Sequence, residues 1–153
     1  MIIRKAITDD LEIIQSFQKK LSEYESQFTD EFNSSWSSSS KGKKFFEKTI
    51  KGRNSFGLIA EEDNKLIGYL VVTIRKSALR RRNKLALLDF LFVDDKYRDK
   101  GIGTMLLQEA TRILKERKIP RFQLYVLKAN VDAIDFYKKN GFTEFISIFE
   151  KDL

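Results

Sequence analysis

Two hydrophobic periods alternate along the chain, and their order predicts its elements. Ile2 to Ala6 alternates weakly, as a strand does. Thr8 then offers an N-cap, and Asp9 and Asp10 suit a helix dipole. Leu11, Ile14, Phe17, Gln18 and Leu21 mark a helical face that fades near Tyr24 to Phe28. Gln27 to Lys44 breaks the pattern with a serine-rich run around the only tryptophan, Trp36, and reads as a mobile loop. Trp36 is then either a plug over the core or part of a lid. A second helix is expected over Lys44 to Lys51. Ser55 to Glu61 and Leu66 to Arg75 read as strands joined by the turn Glu62 to Lys65, with Gly68 marking a bulge. After the basic run Lys76 to Lys84, Leu85 to Val93 reads as a central strand. Positions 102, 105, 106, 110, 113 and 114 then return to helical spacing over Gly103 to Arg117. Phe122 to Leu127 is a further strand, and Asn130 caps a short helix that Asn140-Gly141 ends. Phe142 to Lys151 is expected as a last strand. This order gives an α+β (mixed α/β) sheet with helices packed on it, its strand-helix-strand unit parallel and right-handed.

A chain of 153 residues with 42% hydrophobic content and one proline fits a single packed domain, residues 1–153. No run suits a membrane span or a signal peptide, so a cytoplasmic protein with no membrane partner is expected. Cysteine and histidine are both absent. That removes disulfides, ordinary zinc sites, cysteine acyl-enzymes and histidine bases, and no metal is expected. Catalysis would have to use carboxylates, Tyr, Lys, Ser/Thr, main-chain groups or water. The net charge of +7 favours polyanions. The run Lys76 to Lys84 carries much of it but lacks interleaved aromatics, so it reads as a solvated loop and a nucleic-acid partner as unlikely.

The chemistry concentrates in Arg98-Asp99-Lys100-Gly101-Ile102-Gly103-Thr104, a two-glycine turn leading a strand into a helix. Glycines admit close approach to main-chain N–H groups, and the first helical turn leaves such donors free. With the helix dipole they form a socket for a diphosphate. Neither the P-loop spacing nor the dinucleotide fingerprint is present, since Leu106 stands where a third glycine belongs. A second stretch runs Asn130-x-x-Ala133-x-x-Phe136-Tyr137-x-x-x-Gly141-Phe142, placing a capping Asn and a tyrosine on one short helix.

In this order and spacing, the two stretches resemble the signatures of the GNAT superfamily of N-acetyltransferases. Val93 five residues before Arg98 resembles the family's approach to its cofactor turn. The resemblance implies a central mixed, mostly antiparallel sheet with a splayed parallel pair and helices on both faces. It implies acetyl-CoA as cosubstrate, held where the strands ending at Val93 and Leu127 diverge. Main-chain amides from Asp99 through Lys100, Gly101, Ile102 and Gly103 to Thr104, with Arg98 beside them, would hold the pyrophosphate. Leu91, Phe92 and Val93 would pair with the pantetheine arm as an added strand would. Asn130 would contact that arm, and Tyr137 would protonate the departing thiolate.

An alkylammonium near pKa 10.4 needs roughly 4–5 kcal/mol to expose its lone pair at pH 7. Asp89 is the candidate base, four residues before Val93 and hence expected on its face, working through a bridging water. The strand Gln123 to Leu127 offers no carboxylate, while Glu25, Asp30 and Glu31 could attract an amine from the loop. Without a cysteine to carry an acyl group, direct attack in a ternary complex is the expected mechanism. The acceptor would be a primary amine of a small molecule or of a protein N-terminus or lysine. A non-catalytic acyl-CoA-binding module is the alternative. The short segment after Gly141-Phe142 suggests an open sheet edge that a homodimer partner would cover.

Overall fold

Asp63 and Asn64 take positive φ, 51° and 58°, the left-handed pair that a two-residue hairpin turn requires. They join strand β2 (Ser55–Glu62) to β3 (Lys65–Lys76). Strand β1 (Ile2–Lys5) pairs with β2, and β4 (Lys84–Val93) with β3, all antiparallel. β5 (Phe122–Leu124) closes the order β1-β2-β3-β4-β5 and runs parallel to β4. This is a computed structural model describing Met1–Leu153. Helices α1 (Leu11–Glu25), α2 (Ser40–Lys51), α3 (Ile102–Glu116) and α4 (Val131–Lys139) complete the chain. No helix is long and apolar enough to cross a membrane.

The central strands are buried on both sides, which is why β2 reads as a nearly unbroken apolar run. One face carries Leu58, Leu70, Val72 and Leu88 against Leu106 and Ala110 of α3. The other carries Ile59, Tyr69, Val71 and Phe92 against Ile14 and Phe17 of α1 and Phe46 of α2. Two bulges interrupt the pleat. Ala60 faces Gly68 while Glu61 faces Leu66, so Ile67 is the extra residue of the first, beside the glycine that signalled it. A Cβ on Gly68 would stand 2.9 Å from the Phe92 carbonyl oxygen, so glycine is what lets β3 and β4 meet here. Val71 faces Phe90 while Val72 faces Leu88, which makes Asp89 the extra residue of the second.

Three expectations require correction. The serine-rich run is built into the fold rather than left as a loose loop. Trp36 opens a short 3-10 turn (Trp36–Ser38) and lies 5.6, 5.9 and 6.1 Å from the rings of Phe45, Phe46 and Phe90. Burial of these rings supplies what serine composition conceals. Helix α2 begins at Ser40 rather than Lys44, because Ser39 Oγ accepts the Gly42 N–H at 3.1 Å and caps it. The last strand, expected over Phe142 to Lys151, does not form. β5 pairs over only three residues before Tyr125 turns out to solvent, and its short outer edge takes no sixth strand. Phe145, Ile146, Ile148 and Phe149 are left exposed.

A Cβ on Gly42 would fall 2.3 Å from the Trp36 carbonyl oxygen and 2.9 Å from the Ser37 Cα. Gly42→Ala therefore costs stability despite the better helix former, by about 1–3 kcal/mol, because only backbone can yield. Equilibrium urea unfolding of the variant against wild type measures it.

Candidate active site

The turn after β4 is a chain of unsatisfied donors. Asp99 and Gly101 both take positive φ, 61° and 76°, so the backbone curls around one side. Gly101 occupies the N-cap of α3, and no side chain caps that helix. The first α3 bond is donated by Met105 to Gly101, and none of the N–H groups of Asp99 through Thr104 donates to a protein acceptor. Space beside Gly101 is open, whereas a Cβ on Gly103 would stand 3.0 Å from the Phe136 ring. Gly101 thus provides access, and Gly103 lets α4 pack against the start of α3. Such concave donor sets bind anions through main-chain dipoles.

Beside the turn, the sheet opens. β4 pairs with β5 only at Ala86, Leu87 and Leu88, opposite Phe122, Gln123 and Leu124. From Asp89 to Val93 the strand has no β5 partner. Alternation along an antiparallel strand directs the main-chain groups of Leu91 and Val93 away from β3 and into this gap. Arg98 Nε reaches the Val93 carbonyl oxygen there, at 3.3 Å, and its guanidinium pairs with Asp95 at 2.7 Å.

Tyr137 approaches the gap from the α3 face, edge-on to Phe136 (5.2 Å) and Phe142 (5.8 Å). Its hydroxyl makes no hydrogen bond within the protein. Burial, aided by the charge of Glu25, pushes the phenol above its ordinary value, so it stays protonated at working pH. Gly141, at φ 86°, ends α4 in a Schellman arrangement with Phe142 N–H to Tyr137 O at 3.1 Å and Gly141 N–H to Lys138 O at 3.0 Å. Asn130 is buried, and its Oδ1 accepts the Ala133 N–H at 3.2 Å. The cap is therefore real, and Asn130 Nδ2 donates to no protein acceptor.

Asp89 does not share the face of Val93, as even spacing would have it. Leu88 and Leu91, three apart, both pack on the α3 face with Val93. The bulge turns Asp89 and Phe90 together to the α1–α2 face. There Asp89 sits beside Thr73, 3.8 Å from Arg75, with its side chain only 9% exposed and Oδ2 lacking a hydrogen-bond partner. Burial raises its carboxyl above the usual range, and Thr73 and Arg75 offset part of that. Asp89 and Tyr137 thus lie on opposite faces of the sheet. The basic loop 77–83 lies at the other end of β4, a 10-residue strand spanning about 30 Å. It cannot reach the turn. Glu25, at the end of α1, is half-buried and touches the field of both Tyr69 and Tyr137. The carboxylates of Asp30 and Glu31 are exposed.

The acetyltransferase (GNAT) family model matches residues 21–142. The chain belongs to the GNAT family of acetyltransferases. It is an acetyl-CoA-dependent N-acetyltransferase. Over 146 residues it is 30% identical to a spermidine N(1)-acetyltransferase of Thermoplasma acidophilum, covering 92% of this chain and 86% of that one. Its fold matches a mutant BH1408 protein from Bacillus halodurans at a TM-score of 0.89, with 23% identity, covering 100% and 99% of the two chains. It also matches an aminoglycoside N-acetyltransferase AAC(6')-Iy in complex with CoA, at 0.76 and 17% identity over 99% of each chain. The family's donor is a thioester of a nucleotide diphosphate. The N–H cradle, the space beside Gly101 and the bare β4 edge fit such a group. No group of three or more His, Cys, Asp or Glu side chains is placed to hold a metal ion.

A carboxyl whose folded pKa is raised favours folding fully only below its unfolded pKa, and loses that contribution as pH rises through the folded value. Asp89→Asn is therefore expected to be more stable than wild type at about pH 7. The difference should shrink toward zero below the ordinary Asp pKa of about 3.9. Urea unfolding at the two pH values measures both arms.

Proposed function

We propose that this GNAT enzyme acetylates a primary amine of a small cationic molecule by direct attack in a ternary complex. The observation that carries this reading is the gap beyond Leu88, where an unpaired strand edge meets a run of free N–H donors. Acetyl-CoA supplies the activated acyl group as a thioester. The amides of Asp99, Lys100, Gly101, Ile102, Gly103 and Thr104 hold its diphosphate, with Arg98 flanking them. The main chain of Leu91 and Val93 pairs with the pantetheine amides, whereas that of Phe92, expected to join them, faces Tyr69 of β3. Asn130 Nδ2 is free to contact the same arm. The similarity to a spermidine N(1)-acetyltransferase supports a small polycationic acceptor.

The two side chains divide the proton traffic. Asp89 takes the proton of the acceptor ammonium through a water on the α1–α2 face. Its raised pKa narrows the gap to an amine near pKa 10.4 and so lowers the cost of that transfer. Tyr137 faces the departing sulfur. Because its pKa lies above that of a thiol, it acts mainly by donating a hydrogen bond as charge develops.

Calorimetry with acetyl-CoA and release of free thiol with spermidine as acceptor test the reading; no binding heat on a folded protein would end it. Tyr137→Phe is expected to lower kcat about 10²-fold or more while acetyl-CoA affinity stays at the wild-type level. Asp89→Asn is expected to lower kcat/KM by a similar factor near pH 7. It should recover partly near pH 9, where more of the amine is already neutral.

A homodimer belongs to the same reading. β5 has a bare outer edge, and Phe145, Ile146, Ile148 and Phe149 stand exposed beside it. Light scattering in solution is expected to give twice the monomer mass, and a monomer at all concentrations would remove the dimer.

A further inference from the structure

Glu25 is placed where a carboxylate has little structural reason to be. It is the last residue of α1, the end at which the helix dipole disfavours an anion. It is half-buried, yet its carboxylate has no ion pair and no hydrogen bond. The cations at this end of the helix are already matched. Lys20 Nζ binds Asp94 at 3.0 Å, and Arg98 binds Asp95 while lying 5.3 Å from the Tyr24 ring. The groups that feel its charge are two phenols, Tyr69 on the α1–α2 face and Tyr137 on the α3 face. Arg98, which reaches the Val93 carbonyl oxygen at the rim of the opening, lies 5.3 Å from the ring of Tyr24, the residue before Glu25, so the last turn of α1 borders the opening between β4 and β5. Burial raises its carboxyl pKa, which a bound cation would reverse.

Resting on the acetyltransferase reading above, we propose that Glu25 is an acceptor-binding residue that pairs with a second ammonium group of a diamine or polyamine while another nitrogen is acetylated. The arrangement follows from the division of labour. Asp89 serves the reacting nitrogen at the bulge, and Glu25 offers the uncompensated negative charge at the α1 end of the same opening. A monoamine has no second cation and gains nothing from it. Glu25 is thus a specificity residue rather than a catalytic one, and it selects by charge spacing. The unfavourable placement is the stability that the binding site gives up for function.

The test compares Glu25→Gln with wild type on spermidine and on propylamine, following thiol release, with acetyl-CoA binding measured separately. The expected result is a KM for spermidine raised about 10- to 100-fold, the loss of one charge-assisted contact. Its kcat, the propylamine kinetics and the acetyl-CoA affinity should stay within about twofold of wild type. Urea unfolding of Glu25→Gln should show equal or greater stability than wild type. Equal losses on both amines, or no change on either, overturns the proposal and leaves the acetyltransferase reading standing. A destabilised Glu25→Gln also overturns it, since the carboxylate would then be structural. A wild-type enzyme that binds acetyl-CoA but acetylates neither amine overturns this proposal and the acceptor class together.

Discussion

The structure turns on where parallel pairing stops. β4 and β5 share three residue pairs and then part, and the candidate site lies beyond the last of them. A main-chain donor or acceptor left unpaired in a protein interior is costly, so an open strand edge persists only where water or a ligand can satisfy it. Here the edge from Asp89 to Val93 is followed, after a short 3-10 turn at Asp95–Tyr97, by the free N–H groups of Asp99 through Thr104. The two sets of unsatisfied groups lie one turn apart, and together they suit an elongated ligand with amides at one end and a diphosphate at the other.

The bulge at Asp89 belongs to the same constraint. One extra residue in β4 shifts the pleat by one position, so Leu88 and Leu91 share the α3 face and Asp89 and Phe90 share the other. This separates the two candidate proton-transfer groups to opposite faces of the sheet. Tyr137 approaches with α4, on the side where the donor's sulfur would lie. Asp89 opens toward α1 and α2, on the side left for the acceptor. Direct transfer needs such an arrangement, since both reactants must occupy the gap at once.

One wall of the α1–α2 face is built by aromatic packing. Trp36, Phe45, Phe46 and Phe90 pack as one cluster, which ties the serine-rich segment to the very strand that carries Asp89. A hydrogen bond from Gln15 Nε2 to the Ser37 carbonyl at 2.5 Å fastens the same segment to α1. The α1–α2 face beside Asp89 therefore has a packed aromatic wall. The exposed segment beyond Phe142 contributes nothing to that wall.

The sequence by itself determined the elements whose signals are local. Hydrophobic period placed β2, β3, β4, α1 and α3 to within a few residues. Asn130 and Gly141 announced the two ends of α4, because caps act on neighbouring main-chain groups. Gly101 announced the turn into α3 for the same reason. What depends on distant partners was settled only by the tertiary structure. The length of β5 and the absence of a sixth strand depend on a neighbouring edge, and no residue in either segment encodes that edge. The face of Asp89 depends on a register shift against β3, invisible to a count of four from Val93. The order in the serine-rich segment depends on Phe45, Phe46 and Phe90, which the chain delivers from elsewhere. Glu25 drew notice as one acidic residue among several, and only folding left it half-buried and unpaired at the end of α1. Local signals name the parts; pairing and packing decide what each part confronts.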